Sequence, residues 1–350
     1  MNLQIALILG QDGLINGAIY ALLALSILLV FTVTRVLLIP QGEFVAWGAL
    51  TMGAVQAGRP SALVWLVVLM ALVEALLDLR EALRDRRGRG GGRLPRAVPL
   101  KLGYAALLVV LMYKLPLAEL PIALQVLLTL MVVVPLGPQL YRLFFQPLAA
   151  APVLVLLIVS IAIHLAMLGI GLLVFGPEGA RTRPFTDLDF ELGPLRVQAQ
   201  TLWVLGVSLA LVAALYLFFG RTVYGKALRA AAMNRVGARL MGISPPFAGT
   251  AAFFLASLIG ALSGVLISPI TTIYYDSGFL ISLKGFVGSI IGGLISYPLA
   301  ALGALLVGAI EAFSAFYASA YKEVIVFTLL IPFLLWRSLT TRHVEEEPLE

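Results

Sequence analysis

Cysteine is absent from the 350 residues and histidine occurs only twice. The first absence removes disulfides, thiolate nucleophiles and thiolate metal sites. The second starves any catalytic reading. His164 is the one histidine inside an apolar run, His343 lies in the tail, and no convergent nucleophile and base is evident around either. Charge is scarce as well. Asp, Glu, Lys and Arg make up 12% of the chain, where a soluble domain carries about 25%, so polar side chains are too few to cover a water-facing surface. No basic residue precedes Arg35, so the charged start of a cleavable signal peptide is missing and the first apolar segment reads as a retained span. No segment reads as the period-two alternation of a membrane β-barrel.

What the chain has instead is hydrocarbon. Hydrophobic residues make up 61% and mean hydropathy is +1.02. A spanning helix needs about 20 mostly apolar residues, and backbone polar groups must be paired inside the segment, so long apolar runs in lipid are helices. Runs fall at 13–34, 40–57, 61–79, 102–115, 122–143, 152–175, 200–219, 247–273, 277–296, 299–318 and 324–338. The fold class is therefore an all-α polytopic transmembrane bundle of roughly 9–11 spans, short or broken helices included. Residues 1–340 form one membrane domain, followed by an acidic tail at 341–350.

The net charge of +6 sits between the runs, which argues for the positive-inside pattern and against a nucleic acid partner. Residues 80–101 hold seven Arg and one Lys, and residues 220–244 hold Arg221, Lys226, Arg229, Arg235 and Arg239 without an acid. Residues 176–200 mix Glu178, Asp187, Asp189 and Glu191 with three Arg. The first two loops are expected inside and the third outside, which puts the N-terminus outside and the C-terminus inside. Paired glycines at Gly13 and Gly17, Gly260 and Gly264, and Gly288 and Gly292 mark faces for close helix packing.

One motif misleads. Gly220-x4-Gly225-Lys226 matches most of a phosphate loop, but Ala227 stands where a hydroxyl must meet magnesium, and a membrane run precedes it in place of a strand. The segment is read as an Ala-rich helix bounded by Gly225 and Gly242, fitted either to a groove in a cytoplasmic partner or to the lipid interface.

Polar residues inside apolar runs carry the other signal. Lys284, Glu311 and His164 lie within spans, and Gln41, Gly42 and Glu43 follow Pro40 at a helix break. A charge at a helix centre costs about 2.5–3.5 kcal/mol on insertion scales, so these groups line a polar path, satisfy one another or snorkel to an interface. Lys284 with Glu311 is the obvious structural pair, and a hydrogen bond to a neighbouring helix is the plain role for His164. Broken helices with free backbone groups are where transporters place substrate.

These residues also carry a family resemblance. Arg221-Thr-x-x-Gly-x-Ala-Leu-Arg-Ala with Leu240-Met-Gly-Ile, Gly278-Phe-x5-Lys284-Gly-Phe, Gly308-Ala-Ile-Glu311-Ala-Phe with Tyr321-Lys-Glu-Val, and Gly17-Ala-Ile-Tyr20 with Gln41-Gly-Glu together resemble the permease subunits of branched-chain amino acid ABC importers, the LivH type. The chain departs from that pattern at Leu38-Ile-Pro-Gln-Gly-Glu43 and Ser160-Ile-Ala-Ile163, and residues 74–119 read as an insertion. The resemblance implies a path for a small polar solute, a branched-chain amino acid first, through Gln41, Gly42, Glu43, His164, Lys284 and Glu311. It implies a cytoplasmic coupling segment at 220–246, with Arg221, Thr222, Gly225, Arg229, Ala230, Asn234 and Gly242 in contact with ATPases. Its implied partners are a second related permease or a second copy, two cytoplasmic ATPases holding ATP and Mg, a periplasmic solute-binding protein and the bacterial inner membrane. No cofactor or metal is expected on this chain. The alternatives are the same machine carrying urea, short amides or aromatic acids, and a stand-alone secondary transporter.

The absence of cysteine makes the topology directly testable. A single cysteine at Glu178 should react with a membrane-impermeant maleimide in intact cells, whereas one at Arg93 should react only after permeabilisation. The reverse pattern inverts the expected orientation.

Overall fold

A computed structural model describes residues 3–89, 97–192, 195–294 and 296–340. The acidic tail and residues 90–96 of the Arg-rich loop lie outside the described residues.

Each apolar run is helical. The order is α1 (Leu3–Thr34), α2 (Gln41–Gln56), α3 (Leu63–Arg89), α4 (Ala97–Lys114), α5 (Ile122–Val133), α6 (Leu136–Leu140), a π-helical turn at Tyr141–Phe145, and α7 (Val153–Phe175). It continues with β1 (Asp189–Leu192), β2 (Leu195–Gln198), α8 (Ala199–Arg221), α9 (Val223–Met233), α10 (Arg235–Leu240), α11 (Pro245–Ile267), α12 (Ser277–Ile291), α13 (Tyr297–Tyr317), α14 (Lys322–Thr328) and α15 (Leu330–Thr340). Among the described residues six helical segments are long and apolar enough to cross a membrane: α1, the run Ile122–Leu148, α7, α8, α11 and α13. The remaining expected spans are short or carry charge. At 1.5 Å per residue, α2 and α12 reach only about 22–24 Å, less than the roughly 30 Å of hydrocarbon.

The centre of the bundle is α1, with 78% of its most apolar window buried, against 11% for the peripheral α8. The packing partner of α1 is α13. Gly308 lies against the backbone of Gly17, and a methyl group on Gly13 would come 2.8 Å from Ala309 Cα. With lipid on all sides there is no hydrophobic drive between helices, and backbone proximity supplies the dispersion contact that holds them.

Two breaks interrupt this bundle, and each is braced by a neighbour. Arg35 takes a left-handed φ of 62° and ends α1. The extended residues that follow find their partners on α7, where Ser160 Oγ accepts from Ile39 N at 2.9 Å and donates to Leu37 O at 2.7 Å. Between α11 and α12 the chain pairs with the loop after α7. Ala180 and Ile273 exchange backbone hydrogen bonds of 2.9 and 3.0 Å, and Arg181 Nε donates to Pro269 O at 3.0 Å. Irregular backbone at membrane depth is stable only when protein supplies such partners. The two helices that begin at these breaks meet at their first turns. Gly42 and Gly278 are in backbone contact, and a Cβ on either would overlap the other's carbonyl.

Two expectations need correction. Period-two alternation does occur, briefly. Asp189-Phe-Glu-Leu and Leu195-Arg-Val-Gln pair as an antiparallel hairpin with Phe190 opposite Val197, so the bundle is helical with one small hairpin. The coupling segment is not one helix either. It breaks at Asn234, whose extended φ of −147° separates α9 from α10.

Candidate functional site

Five of the six residues expected on the polar path fall into two clusters, both built against α12. The first lies where α2, α7 and α12 meet. Because Gly42 and Gly278 touch, the next residue on each helix, Glu43 and Phe279, belongs to the same junction. Glu43 is completely buried, and His164 Nδ1 on α7 stands 3.1 Å from its Oε1. The imidazole stacks on Phe279, with ring centroids 4.8 Å apart and planes 30° apart. Beyond this contact neither carboxylate oxygen of Glu43 has a hydrogen-bond partner. Gln41 points elsewhere. Its Nε2 donates to Ala256 O on α11 at 3.0 Å while its Oε1 is unpartnered. One turn beyond Glu43, the Trp47 indole N–H is also buried without a partner, and Gly171 of α7 leaves room for its edge.

The second cluster joins α1, α12, α13 and α14. Lys284 Nζ donates to Glu311 Oε1 at 2.5 Å and to Glu323 Oε1 at 3.1 Å. Tyr20 O–H donates to Glu311 Oε2 at 2.5 Å, and Lys284 Nζ lies 5.8 Å from the centre of the Tyr20 ring. The structural pairing of Lys284 with Glu311 is therefore present, extended to four residues. Tyr20 and Glu323 stood in the recognised motifs without being singled out. A third ionic group had no sequence signal beyond acids spaced i, i+4. Glu74 and Asp78 on α3 receive Lys101 of α4 at 2.9 and 3.0 Å, and Arg142 of the π-helical turn also pairs with Asp78. This group ties the α3–α4 region to the rest of the bundle.

The segment expected to meet the ATPases is set by local chemistry. Thr222 Oγ1 accepts from Gly225 N at 3.0 Å and caps α9, and Asn234 Oδ1 accepts from Gly237 N at 2.8 Å and caps α10. Gly225 lies against the Phe218 carbonyl, leaving no space for a side chain. Arg229 donates to the Phe219 carbonyl at the end of α8, a favourable use of a cation at a helix C-terminus. Gly242 turns the chain with φ +82°. Arg221 is exposed and Ala230 half-buried. Leu228, Ala231 and Ala238 face inward, whereas Met233, Val236, Leu240 and Met241 are 87, 72, 83 and 83% exposed.

The sequence model of the family described as branched-chain amino acid transport system / permease component matches residues 97–334. The chain belongs to this family. The match begins within the stretch read as an insertion. Among similar proteins, the high-affinity branched-chain amino acid transport system permease protein BraD of Pseudomonas aeruginosa is 35% identical over 133 residues, covering 37% of this chain and 43% of BraD. The corresponding LivH of Escherichia coli K12 is 33% identical over 136 residues, covering 38% of this chain and 44% of LivH. The aligned stretch thus spans less than half the length of these relatives. No solved structure matches. The permease family is a transmembrane, non-catalytic class.

The Lys284 cluster makes a stability prediction. Lys284→Met alone strands the Glu311 carboxylate and should cost about 3–5 kcal/mol, the range for breaking a buried pair from one side. The double variant Lys284→Met with Glu311→Gln should recover most of that loss in thermal unfolding in detergent. Equal loss in the single and double variants would show that the two side chains are not coupled.

Proposed function

We propose that this chain is the membrane permease of an ABC importer that carries a small polar solute, an amino acid of the branched-chain class first, into the cell. Energy comes from ATP hydrolysed with Mg on two separate cytoplasmic subunits. A second related permease or a second copy completes the path, and a solute-binding protein delivers the cargo outside. The proposed setting is the bacterial inner membrane, with the N-terminus outside and the C-terminus inside, and a single permease domain over residues 1–340.

The observation that carries this reading is the coupling segment. An apolar row of Met233, Val236, Leu240 and Met241 stands exposed on two short capped helices flanked by arginines, in a loop with basic residues and no acid. Such a surface suits a groove in a cytoplasmic partner. Its inner face packs on the bundle next to the break before α2. Ala231, Ala238 and Ile243 line a small cavity of about 30 Å³ together with Val33, Thr34 and Val36. Movement of α9 and α10 would press on the residues that lead into Gln41, Gly42 and Glu43. In this scheme the α2–α12 junction is the constricted part of the path, and the paired Lys284 and Glu311 brace it.

Gly225→Ala tests the scheme, because a methyl group there must displace the end of α8. In vesicles reconstituted with all subunits, this variant should insert normally and retain ATP hydrolysis. Its uptake per ATP should fall roughly tenfold or more, the scale of a 1.4 kcal/mol coupling loss. Unchanged uptake per ATP would remove the coupling role.

A further inference from the structure

We propose that Glu43 and the face of Phe279 form a box for a primary ammonium group, and that the His164 side chain occupies this box in the present structure. The assignment of an amino acid as the cargo rests on the importer reading; the box itself does not.

The argument starts from what Glu43 lacks. A carboxylate that is completely buried ordinarily holds several donors, yet among the described residues His164 is the one cationic partner within reach of it, and both of its oxygens otherwise go without a hydrogen bond. Leaving such a group unsatisfied is unfavourable, and an exchangeable occupant can remove that cost. The walls fit a cation. Carboxylate on one side and an aromatic face on the other is the arrangement that binds ammonium groups, by charge and by the ring quadrupole. His164 takes up that arrangement itself, with Nδ1 at 3.1 Å from Glu43 and its ring stacked on Phe279. The contrast with the neighbouring cluster is instructive. There Lys284 is held by two carboxylates and Glu311 is closed by Tyr20, so a cation already sits in place and Glu323 Oε2 is the one carboxylate oxygen of the cluster without a hydrogen bond among the described residues.

The location supports exchange. The box is assembled from three elements, and two of them, α2 and α12, start at breaks and meet at Gly42 and Gly278, with Ser282 and Ala46 beside the contact. A small separation of these two first turns would free both Glu43 and Phe279 from His164 without unfolding a helix. The unpartnered Trp47 N–H, one turn along α2, would then offer a donor to the carboxylate end of a zwitterion. His164 is thus a competitor for the site, and Glu43 is its recognition group.

The test uses the full chain in nanodiscs, with radiolabelled methylammonium as the probe of the box and L-leucine as the probe of the cargo. His164→Asn should tighten methylammonium binding several-fold, Glu43→Gln should abolish it, and Phe279→Leu should weaken it. In His164→Asn, L-leucine should compete and its deaminated analogue 4-methylpentanoate should not. Methylammonium binding that survives Glu43→Gln, or that is missing from both wild type and His164→Asn with each protein monodisperse, overturns the box. Binding of methylammonium without competition by leucine keeps the box and overturns the amino acid cargo.

Discussion

Two glycines, Gly42 and Gly278, meet backbone to backbone in this bundle, and the site depends on it. A side chain at either position would overlap the other backbone, so the first turns of α2 and α12 can meet only because both lack a Cβ. That contact has two consequences. It brings Glu43 and Phe279 to one junction, and it sets α12 so that Lys284 reaches Glu311 on α13 and Glu323 on α14. Without it the two polar clusters would have no common scaffold.

The short helices impose a second demand, which the neighbours meet. Helices that begin inside the hydrocarbon expose backbone donors and acceptors that lipid cannot satisfy. Ser160 on α7 answers the break before α2, and the loop at 180–182 answers the break before α12. Both braces come from outside the broken pairs. In the proposed scheme the junction opens by movement of first turns while the braced backbone stays paired, the kind of hinge that alternating access requires.

The sequence made the apolar helices legible because twenty hydrophobic residues in a row have one stable form in a bilayer. Pro40 and Gly42 announced the break, and paired glycines at Gly13 and Gly17 announced a close-packing face, although not that α13 would meet it. What stayed hidden was the pairing of distant groups. Glu43 meets His164 from 121 residues away, and Arg142 meets Asp78 across 64, distances over which spacing carries no information. Trp47 was hidden for another reason: an indole in an apolar helix reads as core, and only its unpartnered N–H distinguishes it. The hairpin at 189–198 was missed because four-residue strands give too short an alternation to stand out beside long apolar runs.

The central claim is that this chain moves solute only as part of an ATP-driven assembly. Purification from native membranes in a mild detergent, with mass spectrometry of the intact complex, tests it most directly. The claim predicts a complex that contains two ATPase subunits together with a second permease, related or identical. Recovery of this chain alone, with solute uptake retained after reconstitution without any ATPase, would contradict it.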